Sequence, residues 1–319
     1  MKYVVIGASG HVHQVTDAVR SLMCPPPTAI AAGDQSEVLL KVQASTGAKI
    51  YGDYKKMLDA EQPELVVVNS RFDLNSGITT ECLKRGMHVY SEKPLALTLE
   101  ELQRVVNAWK SGTADLGCML NLSCCGWFRT IVSSIQAGDI GEIRLIHGQK
   151  SYKMGTRGPW YHDRSTYGGT IPWVAIHAID WVLRLGGDVK SITAYHSSKL
   201  NGGNGTMESA AAIILLMQNG IIGSVDADFY RPTGVPKHGD DRLRVTGTKG
   251  MLEAIDDRVY LENDKPRREL ELLKTENPFV RFLNSIGTEA ARQEAELVIK
   301  DTKAVLDARN AADAASEGL

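Results

Sequence analysis

Short apolar runs alternate with longer amphipathic segments through the first 120 residues. Hydrophobicity within each run is continuous rather than alternating, which is typical of parallel strands buried on both faces. The runs lie at 3–6, 28–32, 64–68, 87–90 and 116–120, and helical patterns lie near 11–22, 35–45, 53–60, 74–85 and 98–111. This order predicts an α/β fold that begins with a doubly wound parallel sheet over residues 1–120.

The pattern changes after residue 120. Long β-rich stretches follow at 142–151, 190–196, 210–218, 221–229, 242–247 and 258–262, with helices near 126–137, 165–185 and 290–312. Turn residues at 218–220 and 247–250 predict hairpins. We therefore expect a second domain over residues 121–319, an α+β unit with a large, open and mostly antiparallel sheet.

Composition excludes several classes of function. The chain has 319 residues, a formal net charge of −2 and 43% hydrophobic residues. Without a basic excess or a polybasic stretch, we expect neither a nucleic-acid partner nor a membrane surface. The apolar part of MKYVVIGASG is too short for a signal peptide, which favours the cytoplasm. Five cysteines without a C-x-x-C spacing indicate reduced thiols and no metal site.

The turn between the first strand and the first helix carries a candidate phosphate loop. A dinucleotide site needs glycine there because the backbone turns tightly and approaches the pyrophosphate at the helix N-terminus. The chain replaces the second and third glycines of G-x-G-x-x-G by serine and valine, so a tight turn without chemistry remains the alternative. The loop residues are Gly7, Ala8, Ser9, Gly10, His11 and Val12.

The end of the second strand bears on the choice of cofactor. An acidic residue about 20 positions after the loop would hydrogen-bond the adenine ribose. Gly33 occupies the expected position and Asp34 follows it, with no adjacent arginine to accept a 2′-phosphate. Asp34 therefore favours NAD over NADP.

Several segments together resemble the Gfo/Idh/MocA oxidoreductases. They are YGDYKKML (51–58), ELVVVNS (64–70), ECLKRGMHVYSEKPLALTLEEL (81–102), GDIGEIR (138–144), GGTIPWVAIHAID (168–180) and NPFVRFLNSI (277–286). The resemblance spans essentially the whole chain. It implies an NAD(P)-dependent dehydrogenase that acts on a sugar, a polyol or a related small molecule. It also implies a Rossmann domain followed by a sheet domain through which homodimers or homotetramers form.

The resemblance assigns roles to residues at strand ends. Lys93 of SEKP would be catalytic, hydrogen-bonding the substrate hydroxyl or carbonyl, and Glu92 would lie beside the nicotinamide. The residues that would contact the cofactor are Asn69, Ser70, Glu92, Lys93 and Asn121. The position of these residues at strand ends agrees with physical expectation, because the carboxyl ends of parallel strands meet at the ligand crevice. A surface lysine on a strand-to-helix loop is the alternative for Lys93.

Two further stretches supply substrate-site candidates. The resemblance implies that His177 is the second catalytic residue. Trp173 stands four positions before it, where relatives commonly carry an aspartate, and would wall the substrate pocket. Trp160, in the aromatic segment RGPWYHDRSTYGG, is a stacking platform for a sugar ring or else a buried hinge aromatic.

Two functions therefore remain open. The first is an NAD(P)-dependent oxidoreductase that moves hydride between nicotinamide and a carbinol or carbonyl carbon. The second is a regulatory protein of the same fold that binds a dinucleotide or sugar without turnover. The second function is favoured by Ser9, Val12, Gly33 and Trp173. The retention of Lys93 and His177 favours the first.

Overall fold

The computed structural model describes residues 1–32, 36–120 and 122–317. The chain forms two compact units, here called the first and the second unit. The first unit comprises Met1–Leu120 and Asn277–Lys300, and the second comprises Asn121–Glu276 and Asp301–Leu319. Residues 277–300, which the sequence analysis placed in the second domain, thus pack with the first unit.

The first unit is built on a six-stranded parallel sheet in the order β3-β2-β1-β4-β5-β6. The strand order reverses between β1 and β4, as in dinucleotide-binding sheets. This confirms the predicted doubly wound arrangement. The strands are β1 (Tyr3–Ile6), β2 (Ala29–Ala31), β3 (Lys49–Tyr51), β4 (Leu65–Val68), β5 (His88–Ser91) and β6 (Leu116–Cys118).

Burial explains why the sequence revealed five of these strands. Every residue of β1 and β4 is buried, as the continuous apolar runs require. Strand β3 was not predicted, because it lies at the sheet edge, pairs only with β2 and buries none of its three residues fully.

Helices cover the sheet of the first unit. A capping box begins α5, in which the Thr98 side chain accepts from the Glu101 N–H and the Glu101 side chain accepts from the Thr98 N–H. The helices are α1 (His13–Arg20), α2 (Ser36–Thr46), α3 (Tyr54–Glu61), α4 (Phe72–Lys84), α5 (Leu99–Lys110) and α9 (Pro278–Ser285).

The second unit is built on an eight-stranded sheet in the order β14-β13-β12-β11-β7-β10-β9-β8. All neighbours are antiparallel except β7 and β10, which are parallel. The predicted hairpins join β9 to β10 and β11 to β12. The strands are β7 (Ile143–Tyr152), β8 (Val189–Ser197), β9 (Ala210–Met217), β10 (Ile222–Asp228), β11 (Gly239–Gly247), β12 (Met251–Ile255), β13 (Arg258–Glu262) and β14 (Arg268–Leu270).

The helix predicted over 165–185 is interrupted. Gly168 and Gly169 have φ angles of 82° and 111° and end α7 (Arg164–Tyr167). A π-helical turn (Ile171–Ala175) then leads into α8 (Ile176–Gly186). Helix α8 lies on β7, since a Cβ on Gly148 would approach the Ala178 methyl group to 3.1 Å. The remaining long helices are α6 (Gly126–Gln136) and α10 (Glu289–Glu317).

Two features are absent from the part of the chain that the structure describes. None of the described helices is both long and apolar enough to cross a membrane. Over the same residues, no group of three or more His, Cys, Asp or Glu side chains could hold a metal ion.

Candidate active site

The loop between β1 and α1 is fastened to the end of β4 by Asn69. The Ser9 N–H donates to the Asn69 backbone carbonyl at 2.7 Å, and the Gly10 N–H donates to Asn69 Oδ1 at 2.8 Å. Gly7 has a φ of +76°, and a Cβ there would lie 2.7 Å from both Asn69 O and Ser70 Cα. Glycine is therefore required at position 7 by both conformation and space.

The other loop residues separate into buried and accessible groups. Ala8 and Val12 belong to the apolar core of the first unit, and they are 5% and 8% exposed. Val12, at the third glycine position of the fingerprint, is thus a core side chain and not an obstruction above the loop. Ser9 and Gly10 remain partly accessible.

Glu92 at the end of β5 lies against the start of α1. Its carboxylate is fully buried, with Oε2 accepting the His11 N–H at 2.5 Å and Oε1 lying 2.8 Å from His11 Nδ1. Oε1 also accepts the Lys93 N–H at 3.0 Å. Burial raises the pKa of Glu92, but His11 and Lys93 outweigh it and hold that pKa below its ordinary value. The site thus contains a buried, ionised carboxylate.

Gly10 makes this arrangement possible. A Cβ on Gly10 would lie 1.9 Å from Glu92 Oε2, closer than any nonbonded contact allows. The added glycine of the phosphate loop therefore makes room for the Glu92 carboxylate.

Lys93 follows directly and is 1% exposed. Its peptide bond to Pro94 is cis. A lysine is almost never buried to this extent unless its ammonium is engaged. The surface-lysine interpretation of the SEKP segment is therefore excluded.

The residues around the loop fit a bound dinucleotide. Gly7 and Gly10 let the loop backbone pack closely against Asn69 and Glu92, while Ser9 and Gly10 stay partly accessible, as the approach of a pyrophosphate to the backbone requires. Ser70 Oγ and Asn75 Nδ2 are buried and have no hydrogen-bond partner among the described residues, although Asn75 Oδ1 accepts the Ser70 N–H at 3.1 Å. Such buried polar atoms need partners, which a ligand can provide.

Asn75 was not predicted from the sequence. It lies in the first turn of α4, within the segment DLNSG, where Asp73 and Ser76 are polar as well. The sequence therefore does not distinguish Asn75 from its neighbours as a ligand-binding residue. The predicted cofactor residues Asp34 and Asn121 lie outside the described residues.

In the second unit, His177 lies in the first turn of α8 and is 2% exposed. Asp180 follows on the same helix and is 1% exposed, and its Oδ1 accepts a hydrogen bond from Arg184 Nε at 2.6 Å. This buried ion pair joins consecutive turns of α8. Asp180 therefore stabilises the helix that carries His177.

Trp173 is buried and belongs to the π-helical turn before α8. The π-helical turn closes i→i+5 hydrogen bonds and is therefore wider than the α-helix that carries His177. The role of Trp173 as a wall of the substrate pocket stays a prediction.

Trp160 lies in a short 3₁₀-helix (Pro159–His162) and is partly buried. Its ring stacks on Tyr161 with centroids 3.9 Å apart, and Tyr161 in turn contacts Tyr167 at 4.9 Å. The aromatic segment is thus a stacked cluster. In the first unit the predicted residues Asn69 and Glu92 are hydrogen-bonded to the loop, and the Lys93 N–H donates to the Glu92 carboxylate.

Two family models match the chain. Residues 1–117 match an oxidoreductase family with an NAD-binding Rossmann fold, and residues 128–253 match the GFO/IDH/MocA C-terminal domain.

Individual relatives agree with these matches. An inositol 2-dehydrogenase of Salmonella typhimurium is 26% identical over 254 residues, covering 77% of this chain and 70% of the relative. A solved oxidoreductase candidate from Thermotoga maritima is 36% identical, with a TM-score of 0.91 and coverage of 99% of this chain and 98% of that chain.

A levoglucosan dehydrogenase, solved in complex with NADH and L-sorbose, shares the fold at 17% identity. Its TM-score is 0.81, and the match covers 98% of this chain and 97% of that chain. With both parts of the architecture matched along the chain, this protein belongs to the Gfo/Idh/MocA family of NAD(P)-dependent oxidoreductases.

Proposed function

We propose that the protein transfers hydride between a nicotinamide cofactor and a carbinol or carbonyl carbon of a sugar, polyol or related small molecule. The Salmonella relative is an inositol dehydrogenase, and the levoglucosan dehydrogenase was solved with a sugar. These relatives support the substrate class, while the residues of this chain support the chemistry.

The observation that carries the proposal is the buried Glu92-Lys93 pair beside the phosphate loop. Glu92 is hydrogen-bonded to His11 at the start of α1, and Lys93 is fixed next to it at the end of β5. Burying a carboxylate and an ammonium is costly, so a role in binding or catalysis accounts for their retention better than folding alone does.

Lys93 and His177 are the proton-handling groups of this proposal. The bound nicotinamide supplies the carbon that accepts or donates hydride. Lys93 Nζ hydrogen-bonds the reacting oxygen and opposes its negative charge, while His177 takes or returns the hydroxyl proton. A lysine whose Nζ contacts the reacting oxygen can give and take its proton.

The phosphate loop is proposed to hold the dinucleotide through the residues Gly7 to Val12, with Asn69, Ser70 and Glu92 around them. Asn69 acts by fastening the loop, and Ser70 offers a buried hydroxyl without a partner among the described residues. NAD is preferred over NADP in this proposal because Asp34 follows the second strand.

Calorimetric titration of nucleotide-free protein with NAD, NADH, NADP and NADPH tests the proposal. We expect micromolar binding of one oxidised and reduced pair, followed by turnover of a polyol detected at the nicotinamide absorbance band. Absence of binding for all four nucleotides would refute the proposal.

A regulatory protein without turnover is the second candidate. The observation in its favour is the Glu92 carboxylate on the His11 N–H, because an anion already occupies a donor at the end of the helix where a pyrophosphate would bind. Dinucleotide binding without turnover of any polyol, sugar or sugar derivative would favour this candidate.

We also propose a homodimer or homotetramer formed through the sheet of the second unit. Leu145, Tyr195, Ile214 and Ile222 are 45%, 58%, 49% and 46% exposed. The strand registers place these four side chains on one face of the sheet. Light scattering during gel filtration tests this proposal, and a monomer at micromolar concentration would contradict it.

A further inference from the structure

Arg157 is a partly buried cation between the end of β7 and the 3₁₀-helix Pro159–His162. Its Nη2 donates a hydrogen bond to the Lys153 carbonyl at 2.9 Å. Its Nε is buried and has no hydrogen-bond partner among the described residues. Such an N–H has lost its hydrogen bonds to water without replacement, which destabilises the fold. Folding alone therefore does not account for the placement of this side chain.

Two aromatic rings hold the Arg157 guanidinium in place. Its Cζ lies 4.6 Å from the centre of the Phe229 ring and 5.3 Å from the centre of the Tyr161 ring. Phe229 is 2% exposed and gives the cation a buried support. The rings attract the positive charge, but they offer no oxygen atom to its N–H groups. The guanidinium is thus positioned by contacts that leave N–H donors for a ligand.

Arg157 has no ion pair within the ranges that the structure describes, unlike two other cations of the second unit. Arg231 is paired with Asp240 at 3.0 Å, and Lys150 is paired with Asp241 at 2.5 Å. The carboxylates at the start of β11 are therefore already neutralised by other cations. The positive charge of Arg157 is left for a group from outside the described chain.

His238 lies in the same positively charged surroundings. Lys153, whose carbonyl holds Arg157, donates its N–H to the His238 carbonyl at 3.1 Å. Burial lowers the pKa of His238, and nearby cations lower it further, namely Arg157, Lys153, Lys150 and Arg231. Positive charge that disfavours a protonated histidine favours a bound anion for the same reason.

The charge of the site selects among possible anions. One guanidinium balances one negative charge, and the two oxygens of a carboxylate match two N–H donors at its edge. A phosphate monoester carries close to two negative charges at neutral pH and would need a second cation. Lys150 and Lys237 are already paired, with Asp241 and with Asp257 at 2.6 Å. The arrangement therefore favours a monocarboxylate.

From these contacts we infer that Arg157 binds the carboxylate of an acidic sugar derivative, such as a uronate or an aldonate. The inference rests on the proposed function, because the ligand is taken to be the molecule that is oxidised or reduced. The carboxylate pairs with the N–H edge of the guanidinium, and the reacting carbon lies elsewhere in the same molecule. Arg157 is then a residue that determines specificity for acids over neutral sugars.

The test compares acids with neutral molecules of the same carbon skeleton on the full chain. The acids are D-glucuronate, D-galacturonate, D-mannuronate and D-gluconate. Their neutral partners, D-glucose, D-galactose, D-mannose and D-sorbitol, carry a CH₂OH group in place of the carboxylate. Calorimetry measures the binding of each with and without saturating NADH. We expect at least one acid to bind about tenfold or more tightly than its neutral partner, as for hydrogen bonds to a charged group.

Three variants assign this preference to the guanidinium. Arg157→Met removes the charge and keeps a long side chain against the rings, so the acid should bind about as weakly as its neutral partner. Arg157→Lys keeps the charge without the planar fork and should retain part of the preference. Arg267→Met is the matched control, because Arg267 also lies on an aromatic ring, 4.4 Å from the centre of Tyr260, but is paired with Glu253. All three variants should bind NADH with unchanged affinity.

His238 provides a measurement that needs no change at Arg157. A carboxylate bound there offsets part of the positive charge, so the pKa of His238 should rise when the acid binds. Nuclear magnetic resonance of the histidine ring protons follows this pKa, and His238→Gln identifies the signal. A pKa of His238 that is the same with the acid as with its neutral partner would contradict the placement of the anion.

The outcomes separate the inference from the proposed function. Failure to bind any nicotinamide nucleotide would refute the proposed function, while an acid that binds the wild type and not Arg157→Met would still support the carboxylate site. Wild-type protein that turns over a neutral polyol and prefers no acid over its neutral partner would keep the proposed function and overturn the inference. Equal losses of acid binding in Arg157→Met and Arg267→Met would also overturn it.

Discussion

The loop between β1 and α1 in the first unit and the Lys150-Asp241 pair in the second unit are built by different means. The loop depends on the absence of side chains, since added Cβ atoms at Gly7 and Gly10 would meet neighbours at 2.7 Å and 1.9 Å. The second unit instead joins β7 to β11 by a buried ion pair, in which Lys150 Nζ lies 2.5 Å from Asp241 Oδ1. The loop therefore tolerates no added side chain, whereas the buried ion pair tolerates the loss of neither partner.

The largest expected effect concerns Lys93 of the first unit. Lys93→Met keeps the length of the side chain and removes the ammonium, so kcat should fall about 10²–10⁴-fold, as for one positioned acid-base group. The affinity for the nicotinamide cofactor should change little. Steady-state kinetics and calorimetry measure both quantities. Lys110→Met, at an exposed lysine of α5, is the control, and equal activity of the two variants would contradict the assignment.

The next largest effect is expected for His177 in the second unit. His177→Asn should lower kcat about 10²-fold, the lower end of the range for acid-base groups, because Lys93 still opposes the charge on the reacting oxygen. His162→Asn, at an exposed histidine of the same unit, is the control. If Lys93 and His177 serve one proton transfer, the double variant should lose less than the product of the single losses. Fully multiplicative losses would assign them to independent steps.

Gly10 tests whether the loop depends on missing side chains. Gly10→Ala places a methyl group against the Glu92 carboxylate, so we expect about 1–3 kcal/mol of destabilisation from overpacking, together with weaker NADH binding. Gly77→Ala is the matched control, because Gly77 lies within α4 and a Cβ there meets nothing within 4 Å. That control should stabilise the protein by about 1 kcal/mol through helix propensity. Thermal unfolding measures the stability of both variants, which should fall for Gly10→Ala and rise for Gly77→Ala.

The smallest expected effect concerns the His11 contact to Glu92. The pKa of Glu92 lies below its ordinary value of 4.5 in the folded protein, so its contribution to stability is complete above that pH and is lost as the pH falls through the folded-state pKa. His11→Gln should remove about 2 kcal/mol at neutral pH, the value of a hydrogen bond to a charged group.

The same variant should flatten the loss of stability below pH 4.5. Unfolding temperatures measured from pH 3 to 7 test this, with His13→Gln as the neighbouring control. An unchanged pH profile in His11→Gln would show that Glu92 is stabilised by Lys93 and the backbone alone.

The fold was largely predictable because buried parallel strands leave continuous apolar runs. Edge strand β3 left no such run, and the break in the helix over 165–185 depends on Gly168 and Gly169 adopting positive φ. Within the site, the sequence predicted the loop and the Glu92-Lys93 segment, because strand ends carry ligands. The contact between Glu92 and His11 joins residues 81 positions apart, and no local pattern encodes it.

The contact between Lys150 and Asp241 was not predicted for a similar reason. Lys150 and Asp241 face each other only through the register of β7 and β11, across 91 residues of sequence. On a strand, an isolated lysine or aspartate has the same appearance as a solvated surface residue.

Helix α9 has a consequence for how the protein is made. Phe279 and Phe282 of this helix pack against Tyr3 and Tyr90, with ring centroids 5.4 Å and 5.2 Å apart, and Asn277 donates a hydrogen bond to the Gln14 carbonyl. The core of the first unit is therefore completed by residues synthesised long after its last strand. During translation, the Tyr3 and Tyr90 rings of the nascent sheet stay uncovered until this segment is synthesised. A fragment ending at residue 120 would expose the same aromatic surface permanently.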